Sequence, residues 1–180
     1  MENPPTSLSE QQQQFIRGQR MFFVASAPLD AAGHVNVSPK GLDTLRILGC
    51  TTLVYLDLTG SGVETVAHVR ENGRIVLMFC AFQGPPRILR LHGRGHVVEP
   101  GSAEFGDLAA LFPTYLSTRS IVVVELSRVA ESCGYGVPLM KYEGERSQLQ
   151  AWARNKGPEG LAEYRKANNR VSLDGLPGVG

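Results

Sequence analysis

The fold is decided by one stretch: His34-Val-Asn-Val-Ser-Pro-Lys-Gly41, Leu53-Val-Tyr-Leu-Asp-Leu58, Thr59-Gly-Ser-Gly62, Val63 to Asn72 and Arg74 to Phe82. It reads as strand, turn, strand, glycine loop, helix, strand. Alternation marks the strands, and the spacing of Val63, Val66, Ala67 and Val69 marks the helix. Asn72-Gly73 supplies its C-cap. Gly60 and Gly62 release the backbone just before a helix whose first N–H groups lack intrahelical partners, so an anion can be held there. Phosphate is the obvious candidate.

Working outward, Ser7-Leu-Ser-Glu10 is a candidate capping box for a surface helix from about Leu8 to Gly18. Met21 to Ser26 pairs with the His34 strand as a hairpin across the Pro28 to Gly33 turn. Leu53 to Leu58 is the third strand. Ile75 to Phe79, apolar on both faces, is a central fourth strand. Arg87 to Glu99 is a long fifth strand with two glycines suited to a bulge, and Arg119 to Val129 is the sixth. Ala103 to Phe112 is an amphipathic helix stopped by Pro113. Glu145 to Lys156 and Pro158 to Asn168 are two helices parted at Gly157-Pro158, and Leu149 and Trp152 share a face that docks on something. Strands with helices inserted irregularly imply a mainly β fold, a mostly antiparallel barrel with helical decoration. The 180 residues form one domain, with a core over 15–130 and an extension over 131–180.

The 18 Lys+Arg against 17 Asp+Glu give a net charge of +1, with no footprint for nucleic acid or an anionic membrane. Any anion must therefore be gripped locally. Cys50, Cys80 and Cys133 form no CxxC pair and read as buried free thiols in a reducing compartment. The opening Met1-Glu-Asn-Pro-Pro lacks signal-peptide character, so a cytoplasmic location is expected. His34, His68, His92 and His96 do not make a metal site; His92 and His96 are separated by a glycine bend, and His68 is expected at a surface or interface.

The anion reading singles out Thr59, Gly60, Ser61, Gly62 and Thr65, with Ser61 and Thr65 exposed at the helix start. Glu64 argues the other way, since a first-turn carboxylate can satisfy the helix dipole itself. Lys40 ends its strand within reach of such a site. The glycine-rich loop Cys133-Gly-Tyr-Gly-Val-Pro138 could close over a planar ligand through Tyr135, either in the same chain or across an interface. Asn169 to Pro177 reads as an ordered tail.

Val35-Asn-Val-Ser-Pro-Lys-Gly41 followed by Leu58-Thr-Gly-Ser-Gly-Val-Glu-Thr-Val-Ala-His-Val-Arg-Glu-Asn-Gly-Arg74 resembles the pyridoxamine 5′-phosphate oxidase-like family of FMN-binding split β-barrels, over roughly residues 15–130. The resemblance implies a six-stranded Greek-key barrel, a homodimer, and two FMN sites across its interface. It places Asn36, Val37, Ser38, Pro39 and Lys40 alongside the isoalloxazine, and Thr59 at the flavin phosphate or ribityl chain. Val63, Glu64 and Thr65 stand where the oxidases carry a Ser-Arg-Lys phosphate clamp, and Ile88 stands where they carry a flavin-facing glutamine. Their C-terminal Arg-x-His has no counterpart in Asn168 to Asp174. The expectation is an FMN-dependent oxidoreductase of another small molecule, with NAD(P)H or oxygen as redox partner and no residue legible as general base. The alternatives are a non-catalytic protein holding a flavin, deazaflavin F420 or haem on the same barrel, and a barrel whose phosphate site Glu64 has closed.

Overall fold

A computed structural model describes residues 5–179; the reading of Met1 to Pro4 as free of a leader lies outside them. The elements in chain order are α1 (Glu10–Gly18), β1 (Phe22–Ser26), β2 (Asn36–Lys40), β3 (Leu45–Ile47), β4 (Thr52–Leu58), α2 (Glu64–Asn72), β5 (Arg74–Cys80), β6 (Ile88–Val98), α3 (Ala103–Ala109), β7 (Thr118–Ser132) and α4 (Gln148–Asn168). The strands form one antiparallel sheet in the order β2-β1-β5-β6-β7-β4-β3.

That sheet curls. β1 and β4 are four strand spacings apart in it, about 19 Å if it were flat, yet the rings of Phe22 and Tyr55 lie 5.8 Å apart. Phe22 also stacks on Phe79. The enclosed core collects Val24, Leu53, Tyr55, Leu77, Leu89, Leu91, Val122 and Val124 from five strands, and burial of that apolar surface closes the barrel. A second cluster on the outer face sets Val54, Leu56, Ile121 and Val123 against Phe112 and α3. β4 is therefore buried on both faces, although only one strand separates it from the sheet edge.

The sheet has seven strands rather than six, because the three-residue β3 adds an edge to β4. The β1–β2 hairpin and the interior β5 follow the sequence reading, whereas the bulge expected in the fifth strand lies on its neighbour: His92 pairs with Arg128 and Gly93 with Leu126, so Ser127 of β7 is the extra residue. At Gly93 a side chain would run into the Glu125 carbonyl, which is why glycine stands there. The capping box of α1 is Ser9 with Gln12, not Ser7 with Glu10. The C-terminal helix breaks at Gly157 (φ 66°), where the sequence separates two helices. Trp152 packs edge-on against Tyr164 across that break. Cys80 is buried, but Cys50 and Cys133 are exposed, contrary to the expectation of three buried thiols.

Candidate functional site

The site lies where β2, the end of β4 and the start of α2 converge. Asn36, Ser38 and Lys40 project from alternate positions of β2 into a cavity of about 270 Å³, whose opposite wall is Gly60 to Thr65 with Asp57 and Arg119. Val37 points away and is 60% exposed. A larger cavity of about 590 Å³ shares Lys40, Leu58 and Gly60 with the first, and adds Pro39, Thr59 and the segment around Tyr142 to Leu149. Ten of the twelve residues singled out as cofactor contacts thus line these two cavities, and Val37 does not. Tyr135 is 82% exposed and lines neither.

Asp57 and Arg119 were not read from the sequence. Asp57 follows Leu53 and Tyr55 on the inward face of β4 and is almost wholly buried. Its neighbours on β7 make that possible. Asp57 pairs with Ser120 while Leu58 pairs with Thr118, so Arg119 is the extra residue of a bulge. A bulge re-aims a side chain that strict alternation would send to the other face. Arg119 Nε donates to Asp57 Oδ2 at 2.7 Å and Ser120 Oγ donates to the same oxygen at 3.1 Å. Lys40 Nζ lies 3.5 Å from Asp57 Oδ1. Burial pushes the Asp57 carboxyl up, but the charges of Arg119 and Lys40, with the hydrogen bonds from Arg119 and Ser120, hold it below the ordinary carboxylate value. One carboxylate thus anchors two cations at the cavity wall.

Arg119 also donates to the Gly62 carbonyl at 2.8 Å, tying the glycine loop to the barrel. Thr59 is buried, its N–H and Oγ both donating to the Ser117 carbonyl, and Arg165 of α4 reaches Thr59 Oγ1 at 3.3 Å. Burial, then the charge of Arg119, pulls the Arg165 guanidinium below its ordinary value. Asn36 Nδ2 donates to Thr65 Oγ1 at 2.9 Å, leaving the threonine hydroxyl proton for another acceptor. Thr65 is buried rather than exposed, because α2 packs on the sheet below and meets the chain's tail above. His68 is wholly buried as well, its Nδ1 3.0 Å from Ser26 Oγ, which corrects its expected surface position. Val63, the N-cap of α2, supplies no side-chain cap.

Glu64 lines the smaller cavity too; its carboxylate lies against Gly62 and accepts the Leu173 N–H at 3.4 Å. The tail is ordered over this loop: Asn169 Nδ2 donates to the Gly60 carbonyl at 3.0 Å, Asp174 receives the His34 N–H, and Val179 packs on Val63 and Val66. Beyond Lys40, β2 ends in Gly41 and Leu42. Leu42, at φ 59°, is the sole non-glycine residue with positive φ among the described residues. Such a conformation costs a leucine about 1–2 kcal/mol and is held by its surroundings.

The family model described as pyridoxamine 5′-phosphate oxidase matches residues 8–133. The chain belongs to that family. It is 36% identical to the pyridoxamine 5′-phosphate oxidase family protein ustO of Aspergillus flavus over an alignment of 192 positions, covering 96% of this chain and 76% of that protein. Among solved structures it resembles a Lactobacillus delbrueckii protein named for pyridoxamine 5′-phosphate oxidase, with TM-score 0.55, 19% identity, and coverage of 70% of this chain and 95% of the other. It also resembles HupZ of Group A Streptococcus, with TM-score 0.54, 19% identity, and coverage of 70% and 94%. These structural likenesses establish the mainly β split barrel. No helix among the described residues is long and apolar enough to cross a membrane.

Proposed function

We propose that this family member binds FMN, with the phosphate in the smaller cavity and the ring toward the larger one, and acts as a flavin-dependent oxidoreductase of a small molecule. One observation carries the reading. Ser38 Oγ is shielded from solvent without a hydrogen-bond partner in a cavity that also holds Lys40 and Arg119. A buried hydroxyl without a partner costs about 1–3 kcal/mol, which an acceptor-rich ligand would recover. A phosphate offers acceptors to Ser38, Ser61, Thr65, Lys40 and the start of α2 together. The cations come from β2 and β7 instead of the helix start, so the absent Ser-Arg-Lys does not exclude the anion. Glu64 is engaged with the tail.

Bound flavin would supply hydride and single-electron chemistry. The chain's own part is to hold and orient: Asn36 and Ser38 along the strand, Lys40 as a fixed positive charge between the two cavities, and Leu56, Leu58 and Pro39 as the apolar wall that excludes water. A homodimer belongs to the same reading. It is supported by the exposed Val35 and Val37 on and beside the edge strand and by Tyr135, Leu139 and Met140 on the 133–140 loop, an apolar surface of the kind that marks association. Tyr135 would then meet the flavin of the partner subunit.

The test is titration of the purified protein with FMN and with riboflavin, followed by flavin fluorescence and absorbance. FMN is expected to bind at least about a hundredfold more tightly, since two or more charge-assisted contacts are lost without the phosphate. Equal affinities, or no binding of either, would sink the phosphate assignment. Because Thr65 is buried, Ser61→Asp is the cleaner loop variant, and it should weaken FMN binding while leaving riboflavin binding unchanged.

A further inference from the structure

The larger cavity has a feature that the flavin reading does not use. Its walls are mostly apolar, with Met21, Leu42, Leu56 and Leu149 among them, but its mouth carries Arg20 and Arg146. Among the described residues neither arginine forms an ion pair with a carboxylate. The mouth's own carboxylate, Glu145, is occupied, accepting the Tyr142 hydroxyl at 2.8 Å. Tyr142 in turn lies under Arg20, whose guanidinium carbon is 4.9 Å from the ring centre. Glu145 thus orients Tyr142, and Tyr142 fixes Arg20. A guanidinium stacked on an aromatic face keeps its fork of donors pointing outward at reduced entropic cost.

Arg20 and Leu42 also border the two neighbouring hollows, of about 430 and 440 Å³, so they stand where several concavities meet. Leu42 is the residue held in the left-handed region. Strained backbone of this sort concentrates where a side chain must be presented to a ligand. A cavity with an apolar body and two carboxylate-free arginines at its opening complements a molecule with the reverse distribution, an apolar body ending in an acid.

We propose that the larger cavity binds an organic acid, its apolar portion against Met21, Leu42, Leu56 and Leu149 and its carboxylate on Arg20 and Arg146. For its role as the reacting molecule the proposal rests on the flavin reading; for binding it does not. The site selects by charge. A neutral amide of the same shape leaves both guanidinium groups without their acceptor and is rejected, whereas the apolar contacts alone would treat the two alike.

The experiment is calorimetric titration of the protein with salicylate, indole acetate and hexanoate, each beside its amide, with and without saturating FMN. At least one acid is expected to bind about tenfold or more tightly than its amide, as the loss of a charge-assisted pair predicts. Arg20→Gln and Arg146→Gln should each remove that preference while FMN affinity stays within twofold of the parent. Acids and amides of equal affinity, acids that do not bind, or a preference untouched in both variants would overturn the proposal. Failure of FMN to bind, with the arginine-dependent acid preference intact, would overturn the flavin reading and leave the acid site standing. Circular dichroism of both variants separates loss of the site from loss of the fold.

Discussion

The ladder between β4 and β7 is one antiparallel pairing with two dissimilar halves. In the first, Leu53 faces Val124 and Tyr55 faces Val122, all buried in the barrel. In the second, two residues farther along the same inward face, Asp57 faces Ser120 and takes in Arg119 through the bulge. Both halves are buried, but they are stabilised differently. The apolar half gains from every methylene removed from water. The ionic half only offsets the desolvation of its charges, and hydrophobic residues of equal volume would hold the strands as well. An arrangement that does not improve stability is explained if its charges serve a ligand. Burial keeps Lys40 and Arg119 oriented on a cavity wall before any anion arrives.

The sharpest way to break this comparison is to remove one charge and then both. Arg119→Met leaves the Asp57 carboxylate buried with only Lys40 near it, and should cost about 3–5 kcal/mol in urea unfolding of the flavin-free protein. Asp57→Leu combined with Arg119→Met should recover to within about 1–2 kcal/mol of the parent. The double variant nevertheless loses the discrimination between FMN and riboflavin by at least about tenfold, because a cation at the phosphate is gone. A double variant that is stable and still prefers FMN would make the ion cluster a structural device with no bearing on the site.

A core truncation probes the other half. Leu77→Ala, in the centre of β5 and wholly buried, should cost about 3 kcal/mol through lost transfer energy and the cavity left behind. Flavin affinity per folded molecule should not change, since Leu77 borders neither cavity. A loss of affinity matching the loss of stability would mean that the barrel interior and the site are not separable.

The same contrast explains what was legible in the sequence. The apolar half was, because the apolar runs in Leu53 to Leu58, Ile75 to Phe79 and Arg119 to Val129 report burial directly. The loop Thr59 to Gly62 and the strand Asn36 to Lys40 were found from glycine placement and from resemblance, and they do converge. Arg119 was not legible, because its direction depends on a bulge, and a bulge is a property of the pairing of two strands far apart in sequence. Asp57 carried a signal that went unused: a lone carboxylate in an apolar strand is either misplaced or paired. Thr65 and His68 were read as exposed because helical periodicity marks one buried face. α2 is buried from Thr65 to Val69 on all sides, by the sheet and by a tail whose course local pattern could not supply. β3 escaped because three residues show no period.

The smallest expected effect concerns that tail. Asp174 receives the His34 backbone N–H at 2.8 Å and lies 2.6 Å from His34 Nδ1, joining residues 169–179 to the β1–β2 hairpin above the glycine loop. The hydrogen bond from the His34 ring, then that from its backbone, holds the Asp174 carboxyl below its ordinary value of 3.8, with the charges of His34 and His68 acting in the same direction. A carboxyl depressed in the folded state stabilises above its unfolded value, and that contribution fades as the pH falls through the lower folded value. Hydrogen exchange of the Leu173, Gly178 and Val179 amides should therefore quicken in the parent below about pH 4. Asp174→Asn should be fast already at neutral pH and show no further acid step. The clasp is exposed on the His34 side, so the urea midpoint should move less than in either earlier variant and FMN affinity should fall only slightly. Tail exchange unchanged in Asp174→Asn would mean that the contacts of Asn169 with Gly60 and of Val179 with Val63 hold the strap unaided, and the loop's rigidity would then rest on the same apolar packing as the barrel.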